Sequence, residues 1–487
     1  MEVIIDSSNR SARVTLAGWQ LNEAVASSVP AGEDSVAFIV VADGDTVAMR
    51  GVMGEDTWTG EARRGSERAG FVLQRLQPLA ESEWKEMVGT YRAPDGHLVG
   101  IAPFSEFGSQ PLLVDYSSGR IGPLYPIAPG RLMVGHALIS PVHPADTLEL
   151  DFGPGQKIQG LRFVERGQQA VLAQREATRD LEVEFTNGPI VLRGTLTLPA
   201  GSGPSPAMVL VHGSNALTRE VFGPWSRFFA GQGFAVLAYD KRGTGGSAGD
   251  WKTADFSVLA DDVLAGVRFL ATRSDIRPDR IGLWGASQAG WIMPLAAMRA
   301  PREIAFLVVH AGSGTTVRQQ GILYIESELR MSGLPESAVA IGVRYQQFDD
   351  SVTSSGRGWE ALQQYYAEHQ SEATWLWPPR PADDWFRAYY RMLMDFDPVP
   401  HWKRVVCPVL FFFGELDANV PPAASWPPIQ RALRESGNRR ATLVVLPNAN
   451  HLFLEARTGT RDEYAGLSRF VPGYFDGMAS WLRAQVP

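Results

Sequence analysis

The sequence predicts an α/β fold: a mostly parallel sheet covered by helices on both faces and preceded by a β-rich region. Short apolar runs, such as residues 409–413, indicate strands buried on both sides. Helical patterns alternate with these runs, and residues 258–270 carry an apolar stripe along one face. Residues 1–165 instead contain short strand patterns separated by turns, which are typical of a sandwich or barrel.

Composition excludes several classes of protein. The chain has 487 residues, 45% of them hydrophobic and 20% charged, as in ordinary globular domains. A net charge of −8 argues against nucleic-acid binding, which needs a basic face. The single cysteine, Cys407, excludes an internal disulfide framework and a cysteine-based zinc site. We expect neither a cofactor nor a metal.

The sequence carries no recognisable targeting or membrane segment. The first residues, MEVIID, lack the basic start and apolar run of a signal peptide. No stretch reaches the roughly 18 apolar residues that a membrane-spanning helix needs. We therefore expect a cytoplasmic protein without a membrane span, with its oligomeric state left open.

The front of the chain is predicted to form a β-rich domain over residues 1–165. Asp95-Gly96 is a hairpin signal, and residues 81–88 are the one convincing helical patch. Further strand candidates lie at residues 112–114, 132–134 and 148–150. The region is too short for a seven-bladed propeller, which at about 40 residues a blade needs about 280. Residues 166–180 are predicted to form a short helical linker.

Residues 181–487 are predicted to form the α/β domain. It opens with a hairpin around Asn187-Gly188. Strands then alternate with helices, the strands being expected at residues 207–211, 234–239, 281–284, 304–309, 409–413 and 442–446. Roughly 100 residues separate the fourth of these strands from the fifth, where a crossover needs about a dozen. We expect a helical cap inserted at about residues 313–403, with helices at 322–331, 359–368 and 382–394.

The segment Gly285-Ala286-Ser287-Gln288-Ala289-Gly290 is the sharpest chemical signal. It lies between a strand and an apolar helical stretch, and a turn this tight exposes the serine Oγ at a helix N-terminus. The pattern is close to G-x-S-x-G, with Ala289 in place of the last glycine. Ser287 is the predicted nucleophile. The alternative is an ordinary serine that caps the helix.

A nucleophilic serine needs a base and a group that orients the base. His451 follows the last strong strand and is the best candidate among the eight histidines. His310, at the end of another strand, is the second choice. Asp417 follows the strand at residues 409–413 and is the predicted acid; Glu415 is its nearest rival, and turn capping is the alternative role for Asp417.

Two loops complete the predicted site. His212-Gly213-Ser214-Asn215 follows the first parallel strand. We expect the backbone N–H of Ser214, or alternatively of Asn215, to form an oxyanion hole with that of Gln288. The glycine-rich loop Asp240 to Ser247 lacks the spacing of a phosphate-binding loop. We interpret it as a structural turn in which Asp240 is a buried hydrogen-bonding anchor.

Together these motifs resemble the α/β-hydrolase superfamily, and within it bacterial serine esterases and S9-like hydrolases that carry a β-rich domain in front. The resemblance covers roughly residues 181–487. It implies the α/β-hydrolase fold, a Ser287, Asp417 and His451 triad, and hydrolysis through an acyl-enzyme without a cofactor. We expect a carboxylic ester as substrate. Amide or peptide hydrolysis, acyl transfer, and a non-hydrolytic cyclisation or rearrangement stay open.

Two regions have alternative interpretations. The front domain is either a recognition module or a buttress that narrows the entrance. The insertion is rich in tryptophan: Trp359, Trp375, Trp377, Trp385 and Trp402. Trp375, Trp377 and Trp385, together with His310, are candidate substrate-binding residues. The tryptophans equally suit packing of the cap onto the sheet.

Overall fold

Three sheets follow one another along the chain in this computed structural model. It describes residues 2–485 except 7–10, 17–20, 30–34, 43–44, 78, 109 and 139–145. The first sheet is antiparallel, and its strands pair in chain order. They are β1 (Glu2–Asp6), β2 (Ser11–Leu16), β3 (Leu21–Val29), β4 (Ser35–Ala42), β5 (Asp45–Met53), β6 (Thr57–Arg64) and β7 (Glu67–Gln74). A short helix, α1 (Glu81–Met87), comes next, as the sequence predicts.

The second sheet is a closed barrel of eight strands, one of the two architectures, sandwich or barrel, that the sequence predicts for the front region. The strands are β8 (Gly89–Arg92), β9 (Leu98–Pro103), β10 (Pro111–Asp115), β11 (Ile121–Ala128), β12 (Arg131–Val134), β13 (Asp146–Phe152), β14 (Ile158–Val164) and β15 (Val171–Arg175). The hairpin predicted at Asp95-Gly96 joins β8 to β9.

The helical linker predicted within residues 166–180 is wrong. Residues 171–175 form β15, which pairs with β14 and places Gln174 opposite Arg92 of β8. Ala173 turns into the barrel and is buried, while its neighbours face outward. Strand pairing that closes the barrel overrides the helical preference of this Ala-, Gln- and Leu-containing stretch.

The third sheet confirms the α/β fold. Its strand order is β16-β17-β19-β18-β20-β21-β22-β23. The bounds are β16 (Arg179–Asn187), β17 (Ile190–Leu198), β18 (Ser205–Val211), β19 (Ala235–Tyr239), β20 (Ile276–Ala286), β21 (Phe306–His310), β22 (Val409–Gly414) and β23 (Ala441–Leu446). The first two strands form the predicted hairpin, and β17 also pairs antiparallel with β19. The remaining pairs are parallel, so their carboxyl ends meet at one edge.

The helices of the α/β domain and of its insertion are α2 (Gly223–Gly231), α3 (Phe256–Ala271), α4 (Ala289–Arg299), α5 (Val317–Met331), α6 (Glu336–Ser355), α7 (Trp359–His369), α8 (Trp385–Leu393), α9 (Val399–Trp402), α10 (Pro422–Glu435) and α11 (Tyr474–Gln485). One apolar core lies between the sheet and α3 and α4. A second lies between the sheet and α2 and α11, and it includes barrel residues.

The insertion between β21 and β22 is helical, as the sequence predicts, and consists of α5 to α9. The sequence interpretation missed α6, its longest helix. Only five of the 20 residues of α6 are buried, so an apolar stripe is hard to recognise in the sequence. In the part of the chain that the structure describes, no helix is long and apolar enough to span a membrane.

The barrel packs directly on the α/β domain. Tyr116 contacts the rings of Phe228 and Phe475, at centroid distances of 5.4 and 4.9 Å. Its hydroxyl donates a hydrogen bond of 2.6 Å to the backbone oxygen of Pro224. Phe104 lies edge-on to Trp225 at 5.5 Å. These buried contacts fit the interpretation of the front region as a buttress.

A backbone ladder also joins the barrel to the segment that follows His451. The N–H of Ile121 donates to the oxygen of Ser468 at 2.8 Å, and the N–H of Phe470 donates to the oxygen of Gly119 at 2.8 Å. The Leu138 N–H donates to the oxygen of Leu467 at 3.0 Å. Residues 467–470 therefore form an additional extended segment that is hydrogen-bonded to the barrel.

Candidate active site

Ser287 occupies the sharp turn between β20 and α4. Its φ of +55° lies in the left-handed region, which costs a non-glycine residue about 1–2 kcal/mol. The backbone N–H of Ser287 donates to the oxygen of His310 at 2.8 Å, which fixes the turn to the neighbouring strand. The serine is half-buried, so its hydroxyl is accessible at the edge of the sheet.

Packing explains why Ala289 is tolerated in the turn motif. A Cβ on Gly285 would lie 2.5 Å from the Cβ of Ala289 and 3.0 Å from that of Val211. The missing side chain at position 285 therefore leaves room for the methyl group at position 289. The close approach of strand and helix that the motif requires is preserved.

Asp417 and His451 are brought together by the ends of β22 and β23. The Nδ1 of His451 lies 3.0 and 2.9 Å from the two carboxylate oxygens of Asp417. Asp417 is buried and also accepts hydrogen bonds from the N–H groups of Asn419 and Val420, at 2.9 and 2.8 Å. The carboxylate thus both caps the turn and faces the imidazole. Its rival Glu415 is exposed and accepts from the N–H of Asn448.

The environment of His451 favours its charged form. Burial works against protonation, but the adjacent Asp417 carboxylate outweighs it and raises the pKa of the imidazole above its ordinary value. A base with this orientation and pKa suits proton transfer near neutral pH.

The loop that carries His451 is rigidly held. The side-chain oxygen of Asn450 accepts from the N–H groups of Leu452 and Leu454, both at 3.0 Å. The end of β22 approaches the loop so closely that a Cβ on Gly414 would lie 2.4 Å from the oxygen of Ala449 and 2.6 Å from that of Asn450. Only glycine fits at position 414.

The predicted oxyanion loop lies next to the serine turn. A Cβ on Gly213 would be 3.6 Å from the oxygen of Ala286. Ser214 and Asn215 are exposed, and Asn215 has a φ of +70°. His212 is buried against Phe222 and Tyr239, and burial lowers its pKa well below the ordinary range. His212 is therefore a neutral packing residue rather than a base.

Comparison with known proteins identifies the family of the chain. Residues 208–464, more than half of the chain, match the model of the Alpha/beta hydrolase family. The chain belongs to this family. It is 39% identical over 112 residues to the thiohydrolase AneE of Aspergillus aculeatus, covering 22% of this chain and 34% of that protein. It is 25% identical over 303 residues to the esterase EstD of Thermotoga maritima, covering 60% of this chain and 65% of that protein. The chain thus spans less than two thirds of the length of either relative.

Solved structures resemble the α/β hydrolase part. One is an esterase, Pf2001 of Pyrococcus furiosus, with 16% sequence identity and a TM-score of 0.40. The match covers 64% of this chain and 92% of that one.

The predicted substrate-binding residues of this α/β hydrolase are His310, which lies beside the serine turn, and three tryptophans of the insertion. His310 is buried under the serine turn, with its Nδ1 2.8 Å from the Tyr474 hydroxyl and its ring against Phe453. Burial, followed by the charge of His451, lowers the pKa of His310 well below the ordinary range. This enclosure contradicts a substrate contact, because no face of the ring is open to a ligand.

Two of the three candidate tryptophans pack against other residues, one within the cap and one against the segment between β19 and α3. Trp375 packs against Gly342 of α6, and Trp385 lies edge-on to Trp251 at 5.6 Å. Trp377 is 82% exposed. These contacts favour packing over pocket lining for Trp375 and Trp385, and Trp377 faces solvent.

Sequence reasoning missed three charged residues near the site. Glu106 lies in the short helical turn Ser105–Phe107 between β9 and β10, where surrounding protein raises the pKa of its carboxyl against the opposing charges of His451 and Arg461. Arg461 lies 5.3 Å over the ring of Tyr324 in α5. Lys241 is buried beside the oxyanion loop. The groups around these three residues are remote from them in the sequence, so no local pattern indicates a role at the site. The position of Lys241 at the end of a strand was the one available signal. Among the described residues, no three His, Cys, Asp or Glu side chains are grouped as a metal site.

Proposed function

We propose that this α/β hydrolase cleaves a carboxylic ester of a small molecule through an acyl-enzyme. The observation that carries the proposal is the buried Asp417 carboxylate, bonded to two backbone N–H groups and to Nδ1 of His451. This arrangement fixes the orientation of the imidazole, so that its other nitrogen, Nε2, is the one that would act as the base. The strained turn at Ser287, on the same edge of the sheet, supplies the nucleophile.

In the proposed reaction, the Ser287 Oγ attacks the ester carbonyl while His451 takes the hydroxyl proton. The tetrahedral oxyanion accepts hydrogen bonds from the N–H groups of Gln288 and Ser214. Asp417 stabilises the imidazolium, which then protonates the departing alcohol. Water, deprotonated by His451, attacks the acyl-enzyme, and the second tetrahedral intermediate collapses to release the carboxylic acid and restore Ser287.

An ester is favoured as the substrate because the relative from Thermotoga maritima is named an esterase. The substrate's acyl chain and alcohol are set by the pocket, which differs between members of one fold.

Labelling with a fluorophosphonate probe tests the nucleophile. Wild type should label and Ser287→Ala should not. Ser480→Ala, which changes an exposed serine of α11, is the matched control and should label like wild type. Equal labelling of wild type and Ser287→Ala would refute the proposal. Turnover of an aryl ester and its matched anilide then measures the preference for ester over amide; faster anilide turnover would refute the ester assignment.

A further inference from the structure

The loop from Asp240 to Ser247 contains a lysine for which the proposed reaction has no direct role. Asp240 is the buried anchor predicted from the sequence: its carboxylate accepts from the N–H groups of Arg219 and Gly246, each at 2.9 Å. The next residue, Lys241, turns its side chain the other way, beneath the oxyanion loop. It is 2% exposed, which is rare for a lysine.

All three hydrogen bonds of the Lys241 ammonium go to the two segments of the proposed oxyanion hole. Nζ donates to the backbone oxygens of Gly213 and Asn215, at 3.0 and 3.1 Å. It donates a third bond of 3.1 Å to Oε1 of Gln288. All three N–H groups of the ammonium therefore donate a hydrogen bond.

Among the residues that the structure describes, no carboxylate forms an ion pair with Lys241, and the nearby Asp262 is paired with Arg242 instead. The ammonium lies 5.4 Å over the ring of Trp251. Burial lowers the pKa of Lys241 to about 7, and no carboxylate offsets it. A buried cation is costly, so a lysine here calls for a reason beyond filling space. An apolar side chain would pack at this position without that penalty.

The peptide geometry supplies the reason. A trans peptide points its C=O and N–H in opposite directions. The Gly213 oxygen faces Lys241, so the N–H of Ser214, which belongs to the same peptide, points away from the lysine. The same ammonium holds the side chain of Gln288, the residue whose backbone N–H is the second proposed donor.

We propose that Lys241 is a positioning residue that fixes both donors of the oxyanion hole by binding the loop at residues 213–215 and the side chain of Gln288 at once. This inference rests on the proposed function. The inference extends the proposed function, because stabilisation of the transition state then depends on a lysine that never touches the substrate.

The contact continues into the cap. Nε2 of Gln288 donates to the hydroxyl of Tyr389 in α8 at 3.3 Å, and Tyr389 lies edge-on to Trp251 at 5.2 Å. Gln288 is therefore held from two sides, and its side chain can be altered without removing its backbone N–H.

The test compares Lys241→Met, Gln288→Met and the double variant with wild type. Lys157→Met, at an exposed barrel position, is the matched control and should behave as wild type. For Lys241→Met we expect kcat on an aryl ester to fall about 10- to 100-fold with KM within about threefold, because loss of a single oxyanion donor costs about 10²- to 10³-fold. For Gln288→Met we expect kcat to fall about 3- to 10-fold. In the double variant kcat should fall no further than in Lys241→Met, as expected for residues that act through one contact.

A trifluoromethyl ketone inhibitor separates positioning from a general packing defect. It adds to the active serine and forms an anionic hemiketal whose oxygen occupies the oxyanion hole. Its affinity should fall by the same factor as kcat/KM, whereas the affinity of the alcohol product, which has no carbonyl oxygen, should stay within about threefold. A variant weakened only in packing would not show this split.

The outcomes are distinguishable. If Lys241→Met keeps kcat within twofold of wild type, the inference is wrong while the proposed function stands. The same holds if the loss of kcat in the double variant equals the product of the two single losses. If Lys241→Met does not fold, Gln288→Met decides alone, and an unchanged kcat overturns the inference. If wild type hydrolyses no ester and does not label at Ser287, the proposed function itself has failed.

Discussion

Substitution of Gly414 by alanine should abolish most of the proposed hydrolase activity without touching any residue of the proposed triad. Gly414 ends β22, directly below the loop that leads to His451. A Cβ there would lie 2.4 Å from the Ala449 oxygen, whereas ordinary contacts begin at 3.4 Å. The loop must therefore retreat by about 1 Å, and a displacement of that size at a catalytic group costs about 100-fold in rate.

The expected result for Gly414→Ala is a fall of about 100-fold in kcat/KM for an aryl ester. The free energy of unfolding should fall by about 1–3 kcal/mol, the usual cost of overpacking. Activity would be measured by ester turnover, and stability by urea denaturation followed by circular dichroism. Gly466→Ala is the matched control, because a Cβ at position 466 meets nothing within 4 Å. A folded Gly414→Ala enzyme with kcat/KM within threefold of wild type would show that the approach of β22 does not position His451.

Three further outcomes follow from the site and from the barrel contact. Asp417→Asn should lower kcat about 10⁴-fold, because an amide stabilises the wrong tautomer of His451; a loss below tenfold, measured by ester turnover, would contradict this role. Glu106→Gln removes a negative charge that raises the pKa of His451, and the neutral imidazole is the active form, so the acid limb of the kcat/KM profile should move to lower pH; an unmoved limb would mean that Glu106 does not act on the base. Tyr116→Ala should lower the free energy of unfolding by about 3–5 kcal/mol in urea denaturation, and Tyr116→Phe by about 1 kcal/mol; equal small losses would show that the barrel contact contributes little.

The parts of the site that sequence reasoning found are those set by local pattern. Ser287 follows a strand and begins a helix, and Asp417 and His451 each follow a buried strand, so one sheet edge collects all three. The parallel pairing of β20, β21, β22 and β23 confirms that edge. Strand positions could be predicted because buried parallel strands are short, wholly apolar runs.

The rest depends on contacts between residues distant in sequence. The strand β15 exists because β8, about 80 residues earlier, needs a partner to close the barrel. Glu106 approaches His451 only after the barrel packs on the α/β domain. Lys241 could be placed at a strand end, but its three acceptors lie in two other segments. The sequence shows how many tryptophans the cap contains. It does not show whether each one packs against the protein or contacts a ligand.

The backbone ladder between residues 119–121 and 468–470 couples the unfolding of the barrel to that of the segment that follows His451. The segment that leaves the barrel at Phe470 returns to the histidine loop, because the N–H of Val471 donates to the oxygen of Phe453 at 2.9 Å. Opening the barrel would break the backbone hydrogen bonds that hold the segment following His451. Heat inactivation and barrel melting should therefore share one midpoint, and stabilising substitutions placed in the barrel should extend the working temperature of the catalyst.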